Sequence, residues 1–299
     1  MTGAAQAGDG AERILLIGCG DLGSRVAARL QRPGHAIWAL RRRPPGDHPA
    51  GDHPPGTTPL HWLAGDVTRP DGLPPLPRDI TRLLYILSPG GRDAAAYQAV
   101  FADGLQRVLS RLDTQALRRI VFVSSTAVYG EHAGAWVDET TPPAPLGMNG
   151  RILLQTEDWL RAQQRLPATS VRLAGLYGPG RLQLVERLRQ GLARVPREQP
   201  HWANRIHVDD AAAAVAHLCL ADAAAQVYVG VDDTPLPLDV LYDHIALLAG
   251  AARPPAGPPP AGVGSKRLSN ARLRASGFVP RWPDARAGYA ALLASADTA

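Results

Sequence analysis

The chain has 299 residues, 45% of them apolar, so we expect one large domain or two interlocked domains with a sizeable core. The net charge of +5 comes from scattered basic residues without an accompanying aromatic pattern, so we expect no nucleic-acid partner. No apolar run reaches a membrane span, residues 1–11 lack a signal-peptide pattern, and two cysteines form no disulfide framework, so we expect a cytoplasmic protein.

Short apolar runs alternate with amphipathic stretches along the N-terminal half. Strands are predicted at 13–18, 35–41, 60–66, 82–88, 119–125 and within 167–180, and helices at 21–31 and 93–112. Strands that alternate with helices predict an α/β fold, a doubly wound parallel sheet of the Rossmann type. We place this domain at residues 12–175, with 204–231 returning to it, and a smaller substrate-side subdomain at 176–299.

Two proline-rich segments interrupt this order, at residues 44–59 and 252–264. Proline excludes helix and central strand, so we expect a surface loop and a linker. The first segment contains His48 and His53, but no cysteine or closely spaced histidine pair accompanies them. We therefore expect no metal site.

A glycine-rich loop follows the first strand in the sequence "GCGDLG", which has the G-x-G-x-x-G spacing. Gly18 would permit a tight turn, Gly20 would let the backbone approach a pyrophosphate, and Gly23 would allow close helix packing. Asp21 and Leu22 begin the next helix, whose N-terminal N–H groups favour phosphate. The strand before it and the helix after it are the context that makes this a dinucleotide-binding loop.

The end of the second strand distinguishes the two nicotinamide dinucleotides. An acidic residue there would bind the ribose 2′-hydroxyl, whereas arginine suits a 2′-phosphate. The sequence "WALRRRP" provides Arg41 and Arg42, followed by Arg43, with no acidic residue nearby. We therefore predict NADP(H) as the cofactor, the alternative being a solvated basic loop.

The stretches "IGCGDLG", "LAGDVTRP", "FVSSTAVYG", "VRLAGLYGPG" and "NRIHVDDAAAAVAHL" resemble the extended and atypical short-chain dehydrogenase/reductases, the NAD(P)-dependent epimerase/dehydratase group. They occur in the family's order over about residues 13–221. The resemblance implies a set of cofactor contacts: Asp66 and Val67 at the adenine, Leu87 and Ser88 beside the ribose, Ser124 after the fifth strand, and Leu173, Ala174 and Gly175 near the nicotinamide.

The same resemblance makes Ser125 the catalytic serine, which hydrogen-bonds the reacting oxygen of the substrate. Ser124 and Ser125 could instead simply end a strand and cap backbone groups. Tyr129, four residues after Ser125, is expected to be a packing residue.

Enzymes of this group carry a tyrosine acid and, four residues later, a lysine that lowers the pKa of the tyrosine. The stretch expected to carry them, residues 142–160, contains neither. Anchoring the motif on Glu157 puts the lysine position at Leu153 and the tyrosine position at Asn149. Anchoring it on Arg151 instead puts the tyrosine position at Gly147.

No relocated copy of the tyrosine–lysine pair exists, because the only lysine, Lys266, follows Gly262 by four positions. The only Tyr-x-x-x-Arg is Tyr177 with Arg181, so we name Tyr177 as a substitute acid whose pKa the arginine would lower. Arg151 is predicted to replace the lysine's contacts with the ribose and phosphate.

Three functions follow from these observations. The leading one is an NADP(H)-dependent oxidoreductase that lacks the Tyr-x-x-x-Lys dyad and acts on an unidentified small molecule, its proton coming from Tyr177, water or the substrate. The alternative is a non-catalytic NADP(H)-binding sensor or interaction protein. A sugar-nucleotide epimerase or dehydratase is third, because it requires the missing dyad; Ala203, where such members of the resembling family often carry an arginine, also argues against a nucleotide-sugar substrate. The resemblance also allows a homodimer.

Overall fold

The computed structural model describes residues 11–45 and 59–296. Its strands in chain order are β1 (Arg13–Ile17), β2 (Ala36–Arg41), β3 (Leu60–Ala64), β4 (Arg82–Tyr85), β5 (Arg119–Ser125), β6 (Trp136–Val137), β7 (Ala168–Leu173), β8 (Gly175–Tyr177), β9 (Trp202–Ala203), β10 (Arg205–His207), β11 (Val227–Gly230), β12 (Leu236–Pro237) and β13 (Arg267–Leu268).

The α-helices in chain order are α1 (Asp21–Leu30), α2 (Ala94–Tyr97), α3 (Gly104–Arg111), α4 (Met148–Ala162), α5 (Gln183–Arg189), α6 (Val208–Leu220), α7 (Leu238–Leu248), α8 (Ala271–Ala275) and α9 (Ala285–Ala296). A π-helical turn occupies Gln98–Asp103, and a 3₁₀ turn occupies Thr126–Val128.

The central sheet has seven strands in the order β11-β7-β5-β4-β1-β2-β3. β1 pairs in parallel with β2 and β4, and its apolar run "RILLI" is buried on both faces, as parallel sheets require. The strand order reverses between β1 and β4, which is where such sheets bind ligands, beyond the carboxyl ends of the strands. The predicted α/β doubly wound parallel sheet is confirmed.

The chain divides into two compact units. Unit 1 contains the described residues up to 123, together with 156–170 and 215–226; unit 2 contains 124–155, 171–214 and the described residues from 227. The predicted boundary at residue 175 differs from this division, because the chain returns to unit 1 twice after first leaving it. Unit 2 is also similar in length to unit 1 rather than smaller.

The helix predicted at 93–112 forms, but a π-helical turn interrupts it. The hydroxyl of Tyr85, which is fully buried on β4, donates to the Val100 carbonyl within that turn at 2.5 Å. A Cβ at Gly104 would lie 2.6 Å from the same hydroxyl, so glycine is needed where the helix passes it. Tyr85 thus donates to a carbonyl in the turn where the helix is interrupted.

A buried ion pair stabilises the edge of unit 1 where β1 begins. Glu12 is 6% exposed and accepts hydrogen bonds from Arg82 at 3.0 Å, from Arg118 at 2.9 Å and from Thr81. Burial opposes ionisation, but these donors outweigh it and lower the pKa of Glu12 below its ordinary value.

The core of unit 2 lies among helices α5, α7 and α9 and strands β8, β9 and β12. Tyr177 and Tyr289 are among its largest buried side chains. Leu241 and Ile245, one helical turn apart on α7, face the same cluster and are fully buried. Apolar residues from segments distant in the sequence therefore meet in one core.

Candidate functional site

The glycine loop between β1 and α1 has two structural glycines and one open glycine. Gly18 has φ +100°, and a Cβ there would lie 2.1 Å from the Ile86 carbonyl oxygen. A Cβ at Gly23 would lie 2.2 Å from the Gly18 carbonyl oxygen. A Cβ at Gly20, in contrast, would meet no atom within 4 Å. The first and third glycines are thus needed for packing, while the backbone at the second is open to a ligand.

Gly20 is also the N-cap of α1, and no side chain caps this end of the helix. The buried Leu22 fixes the first turn from inside, while Asp21 is drawn aside by an ion pair with Arg25 at 2.9 Å. An uncapped helix N-terminus beside open backbone is a site for an anionic group. The open backbone at Gly20 and the N-terminus of α1 together suit the pyrophosphate of a dinucleotide.

Three arginines at the end of β2, Arg41, Arg42 and Arg43, lie next to the glycine loop. The amide of Gly18 donates to the Leu40 carbonyl at 3.1 Å, which joins the loop to the end of β2. Arg41 and Arg42 are exposed, as is Arg43, and no hydrogen bond or ion pair engages their guanidinium groups within the described ranges. Burial raises the pKa of the Cys19 thiol and Arg41 opposes that rise, so the arginine's charge acts on the loop.

Asp66 is a predicted contact whose carboxylate is influenced by the charge of Arg42. Its Oδ1 accepts hydrogen bonds from the Thr68 amide at 2.9 Å and the Thr68 hydroxyl at 2.7 Å. Burial opposes its ionisation, but Thr68 and the charge of Arg42 lower the pKa of Asp66 below its ordinary value. The carboxylate is thus engaged in a local turn. Val67 beside it is buried, and its carbonyl accepts from Arg107.

The residues after β4 lie partly against the same loop. The Leu87 side chain would be 2.7 Å from a Cβ at Gly18, so it packs directly beside the glycine turn. Ser88, next in the chain, is exposed. Unit 1 therefore brings together the glycine loop, the arginines at the end of β2 and the end of β4, all at the carboxyl ends of neighbouring strands.

In unit 2, β5 ends in the two predicted serines. Ser124 is buried, and Ser125 is half-buried with its hydroxyl accepting from the Ala127 amide at 3.2 Å. The capping role that the sequence left open for Ser125 is therefore present. Accepting this bond leaves the hydroxyl proton able to donate elsewhere. A Cβ at Gly150 would lie 2.2 Å from the Ala127 carbonyl, so α4 passes directly beside this turn.

The two possible alignments of the missing tyrosine–lysine dyad place the lysine position on different faces of helix α4. Leu153 is 3% exposed and Glu157 is 1% exposed, so both lie on the buried face of the helix. Arg151 is exposed, and its guanidinium donates to the Leu146 carbonyl at 3.0 Å. The register anchored on Glu157 therefore follows the buried face, with Leu153 in the lysine position. Arg151 lies on a different face.

The assignment of Tyr177 as an acid is corrected by its surroundings. Tyr177 is 1% exposed, its ring stacks on Tyr289 at 4.5 Å, and His207 meets it edge-on at 5.2 Å. Its hydroxyl has no hydrogen-bond partner among the described residues. Burial and then the charge of Asp232 raise the pKa of Tyr177, which is opposite to the lowering expected from Arg181. Tyr177 is a core residue, inaccessible to a substrate.

The turn that the resemblance places near the nicotinamide is formed mainly by backbone. Leu173 ends β7 and Ala174 follows it, both buried, and the Ala174 amide donates to the Gly230 carbonyl at 2.9 Å. A Cβ at Gly175 would lie 2.3 Å from Nη1 of Arg205. A side chain where β8 begins would therefore have to displace the Arg205 guanidinium.

Two arrangements in unit 2 were not predicted from the sequence. Arg172 donates to the Tyr129 hydroxyl at 2.7 Å and lies over its ring at 4.9 Å, so Tyr129 packs as expected but against a buried cation. Lys266 is 5% exposed and donates to the carbonyls of Gly264 at 3.2 Å and Gly130 at 3.4 Å. Burial lowers its pKa. Only the uniqueness of this lysine was visible in the sequence.

Among residues 11–45 and 59–296, no cluster of His, Cys, Asp and Glu has the geometry of a metal site. His48 and His53, with most of the first proline-rich segment, lie outside the described residues. The described helices include none that is both long and apolar enough to cross a bilayer.

The chain is similar to known proteins in both sequence and fold. The model of the NAD-dependent epimerase/dehydratase family matches residues 14–229. Protein YeeZ of Escherichia coli K12 is 28% identical over 246 residues, which cover 81% of this chain and 86% of YeeZ. A structure from Methylobacillus flagellatus, assigned to the NAD-dependent epimerases/dehydratases, is 37% identical with a TM-score of 0.76, covering 96% of this chain and 99% of its own.

More distant structures include the UDP-glucose 4-epimerase of Thermus thermophilus in complex with NAD, which is 21% identical with a TM-score of 0.72 and covers 94% of this chain and 98% of its own. Such distant structures show the fold alone. The matched model spans the glycine loop, the end of β5 and β11. The chain belongs to the NAD-dependent epimerase/dehydratase family.

Proposed function

We propose that the protein is an NADP(H)-dependent oxidoreductase that works without a tyrosine–lysine dyad. The observation that carries this proposal is that Arg41, Arg42 and Arg43, at the end of β2, are exposed next to a glycine loop whose backbone is open at Gly20. Of the predicted cofactor contacts, Asp66 is a carboxylate, and Thr68 donates two hydrogen bonds to its Oδ1, which supports a local turn role for that oxygen. The cofactor, when bound, would supply or accept a hydride.

The chain's own residues divide the work as follows. The Gly20 backbone and the N-terminus of α1 hold the pyrophosphate, and Arg41 and Arg42 pair with the 2′-phosphate. Ser125 donates its hydroxyl proton in a hydrogen bond to the substrate oxygen and so orients it. Because Tyr177 is buried in the core, the transferred proton comes from water or from the substrate.

The first test is a pair of binding titrations with NADPH and NADH. We expect NADPH to bind more tightly, and the double variant Arg41→Ala/Arg42→Ala to lose that difference. One charge-assisted hydrogen bond contributes about 1.5–3 kcal/mol, or about 10- to 150-fold in affinity. Arg165→Ala removes another exposed arginine of unit 1 and serves as the matched control. NADH affinity equal to or above that for NADPH would overturn the cofactor assignment.

The second test asks whether the protein turns over a substrate. NADPH absorbance is followed with a panel of carbonyl compounds, for the wild type and for Ser125→Ala. We expect consumption that Ser125→Ala reduces by at least about 10²-fold, in line with the removal of an oriented donor from a reacting oxygen. The variant should still bind NADPH.

The alternative is a non-catalytic NADP(H) sensor, and one observation favours it: Leu153 occupies the lysine position on the buried face of α4. Tight NADPH binding, no turnover across the panel and a conformational response to the cofactor's oxidation state would support the sensor. A sugar-nucleotide epimerase ranks behind both, because that chemistry uses the absent tyrosine.

A further inference from the structure

A buried carboxyl group stands apart from the proposed site, in the loop after β11 of unit 2. Asp232 is 2% exposed. It accepts a hydrogen bond from the backbone amide of Thr234 at 3.3 Å, and the amide of the next residue, Asp233, donates to the carbonyl of Pro283, just before α9, at 3.0 Å. The other oxygen of Asp232, Oδ2, has no hydrogen-bond partner among the described residues. A carboxyl with one oxygen unpaired in a protein interior is well suited to keep its proton.

Other buried polar atoms nearby also lack partners within the described part of unit 2. They are the Tyr177 hydroxyl on β8, Nε of Arg205 on β10 and Nε1 of Trp282 before α9. The Asp232 amide donates to the Arg205 carbonyl at 2.8 Å, and the charge of Asp232 acts on Tyr177. Elements that pack around Asp232 thus leave polar groups unsatisfied.

The charged groups around Asp232 do not neutralise the negative charge that its ionisation would add. Asp284 is paired with Arg286 at 2.6 Å, and Asp233 lies 3.8 Å from Arg274 and accepts from Asn270. Asp210 on α6 accepts the amides of Arg281 and Trp282. The remaining titratable groups from the surrounding elements are Tyr177 on β8, Arg205 and His207 on β10, His244 on α7 and Tyr289 on α9.

We propose that Asp232 is a proton-controlled latch for α9: its neutral carboxyl allows the helix to pack over Tyr177, and loss of the proton loosens that packing. This device goes beyond the proposed function and does not depend on cofactor binding. Ionisation in place would bury an uncompensated charge, and opening α9 would let water reach both the carboxylate and the Tyr177 hydroxyl.

Helix α9 is the element that opens because it covers both groups and is held mainly by packing. The segment before it accepts the Asp233 amide at the Pro283 carbonyl, Tyr289 stacks on Tyr177, and a Cβ at Gly288 would lie 2.1 Å from the Tyr177 hydroxyl. The strands β8 and β10, in contrast, are hydrogen-bonded to each other. Local opening follows the element with fewer backbone bonds to its neighbours.

The pH range follows from linkage. Burial, followed by the charge of Asp284, raises the pKa of Asp232 from 3.8 to about 8. Between these values the closed form binds the proton and the open form does not, so opening becomes easier as pH rises. One proton corresponds to about a tenfold increase in the opening constant per pH unit between pH 3.8 and about pH 8, and the opening constant is level outside that range.

The test is hydrogen exchange of the α9 amides from pH 5 to 9, corrected for intrinsic exchange rates. We expect protection factors in the wild type to fall about tenfold per pH unit up to about pH 8 and then to level. Asp232→Asn should remove this slope, while Asp233→Asn, at the neighbouring paired carboxylate, should retain it. An equal slope in Asp232→Asn, or no slope in the wild type, would overturn the latch.

A second measurement covers the case in which Asp232→Asn does not fold. Infrared difference spectra of the wild type should retain a protonated carboxyl band at pH 7 that disappears above pH 8. Absence of that band at pH 7 in the folded protein would equally overturn the proposal.

Discussion

The glycine loop offers a substitution that separates binding from folding. Gly20 has φ −84° and ψ −155°, an extended conformation open to any residue, and a Cβ there meets nothing within 4 Å. Alanine at this position restricts the unfolded chain and strains nothing in the folded one. We therefore expect Gly20→Ala to change stability by no more than about +0.4 to +1 kcal/mol.

Binding should respond very differently. The added methyl group would occupy the space where the backbone approaches a pyrophosphate, and would push the phosphate away from the α1 amides. Loss of one charge-assisted hydrogen bond costs about 1.5–3 kcal/mol, so we expect Gly20→Ala to weaken NADPH binding about 10- to 150-fold. Calorimetric titration measures the affinity, and thermal unfolding without ligand measures the stability.

Two glycines provide the comparison. Gly90→Ala adds a methyl at another open position, so it should change stability about as little as Gly20→Ala does while leaving NADPH affinity unchanged. Gly18→Ala should lower stability itself by at least about 1–3 kcal/mol, because φ is +100° and the Cβ would lie 2.1 Å from the Ile86 oxygen. Unchanged NADPH affinity in a folded Gly20→Ala protein would refute the assignment of this loop to the pyrophosphate.

Three further outcomes are expected. Tyr85→Phe leaves the Val100 carbonyl unsatisfied and should lower the free energy of unfolding by about 1–3 kcal/mol in urea titration; an unchanged midpoint would contradict it. Glu12→Gln leaves Arg82 buried without its counter-ion and should cost about 3–5 kcal/mol at pH 7. Because the folded pKa of Glu12 is lowered, its contribution is present above pH 4.5 and lost as pH falls, so the difference between variant and wild type should shrink in acid unfolding. Arg151→Ala should weaken NADPH binding if Arg151 replaces the missing lysine, and equal affinity would end that hypothesis.

The sheet and the glycine loop could be predicted from the sequence because their determinants are local. The run "RILLI" is followed at once by "GCGDLG", and together they specify a buried strand, a tight turn and a helix start. Even there, the interruption of the long helix at 98–103 was not visible, and the bond that its Val100 carbonyl accepts comes from Tyr85 in a neighbouring strand.

The substrate-side residues were less predictable because their environment comes from remote segments. The motif "LYGPGR" places Tyr177 near Arg181, but only the fold brings Tyr289 onto its ring. The choice between Arg151 and Leu153 depended on which face of α4 is buried, since both positions lie in the same helical turn. Local spacing can identify a helix face, but not what covers it.

Because Lys266 is buried, chemical modification of its amine measures the opening of the surrounding structure. It is the only lysine in the sequence, and it is 5% exposed beneath the carbonyls of Gly130 and Gly264. An amine-reactive reagent can therefore modify a side-chain amine only after this part of unit 2 has opened. Each molecule that has opened gains one mass increment at Lys266, so the modified fraction over time would give the rate of opening without an engineered label.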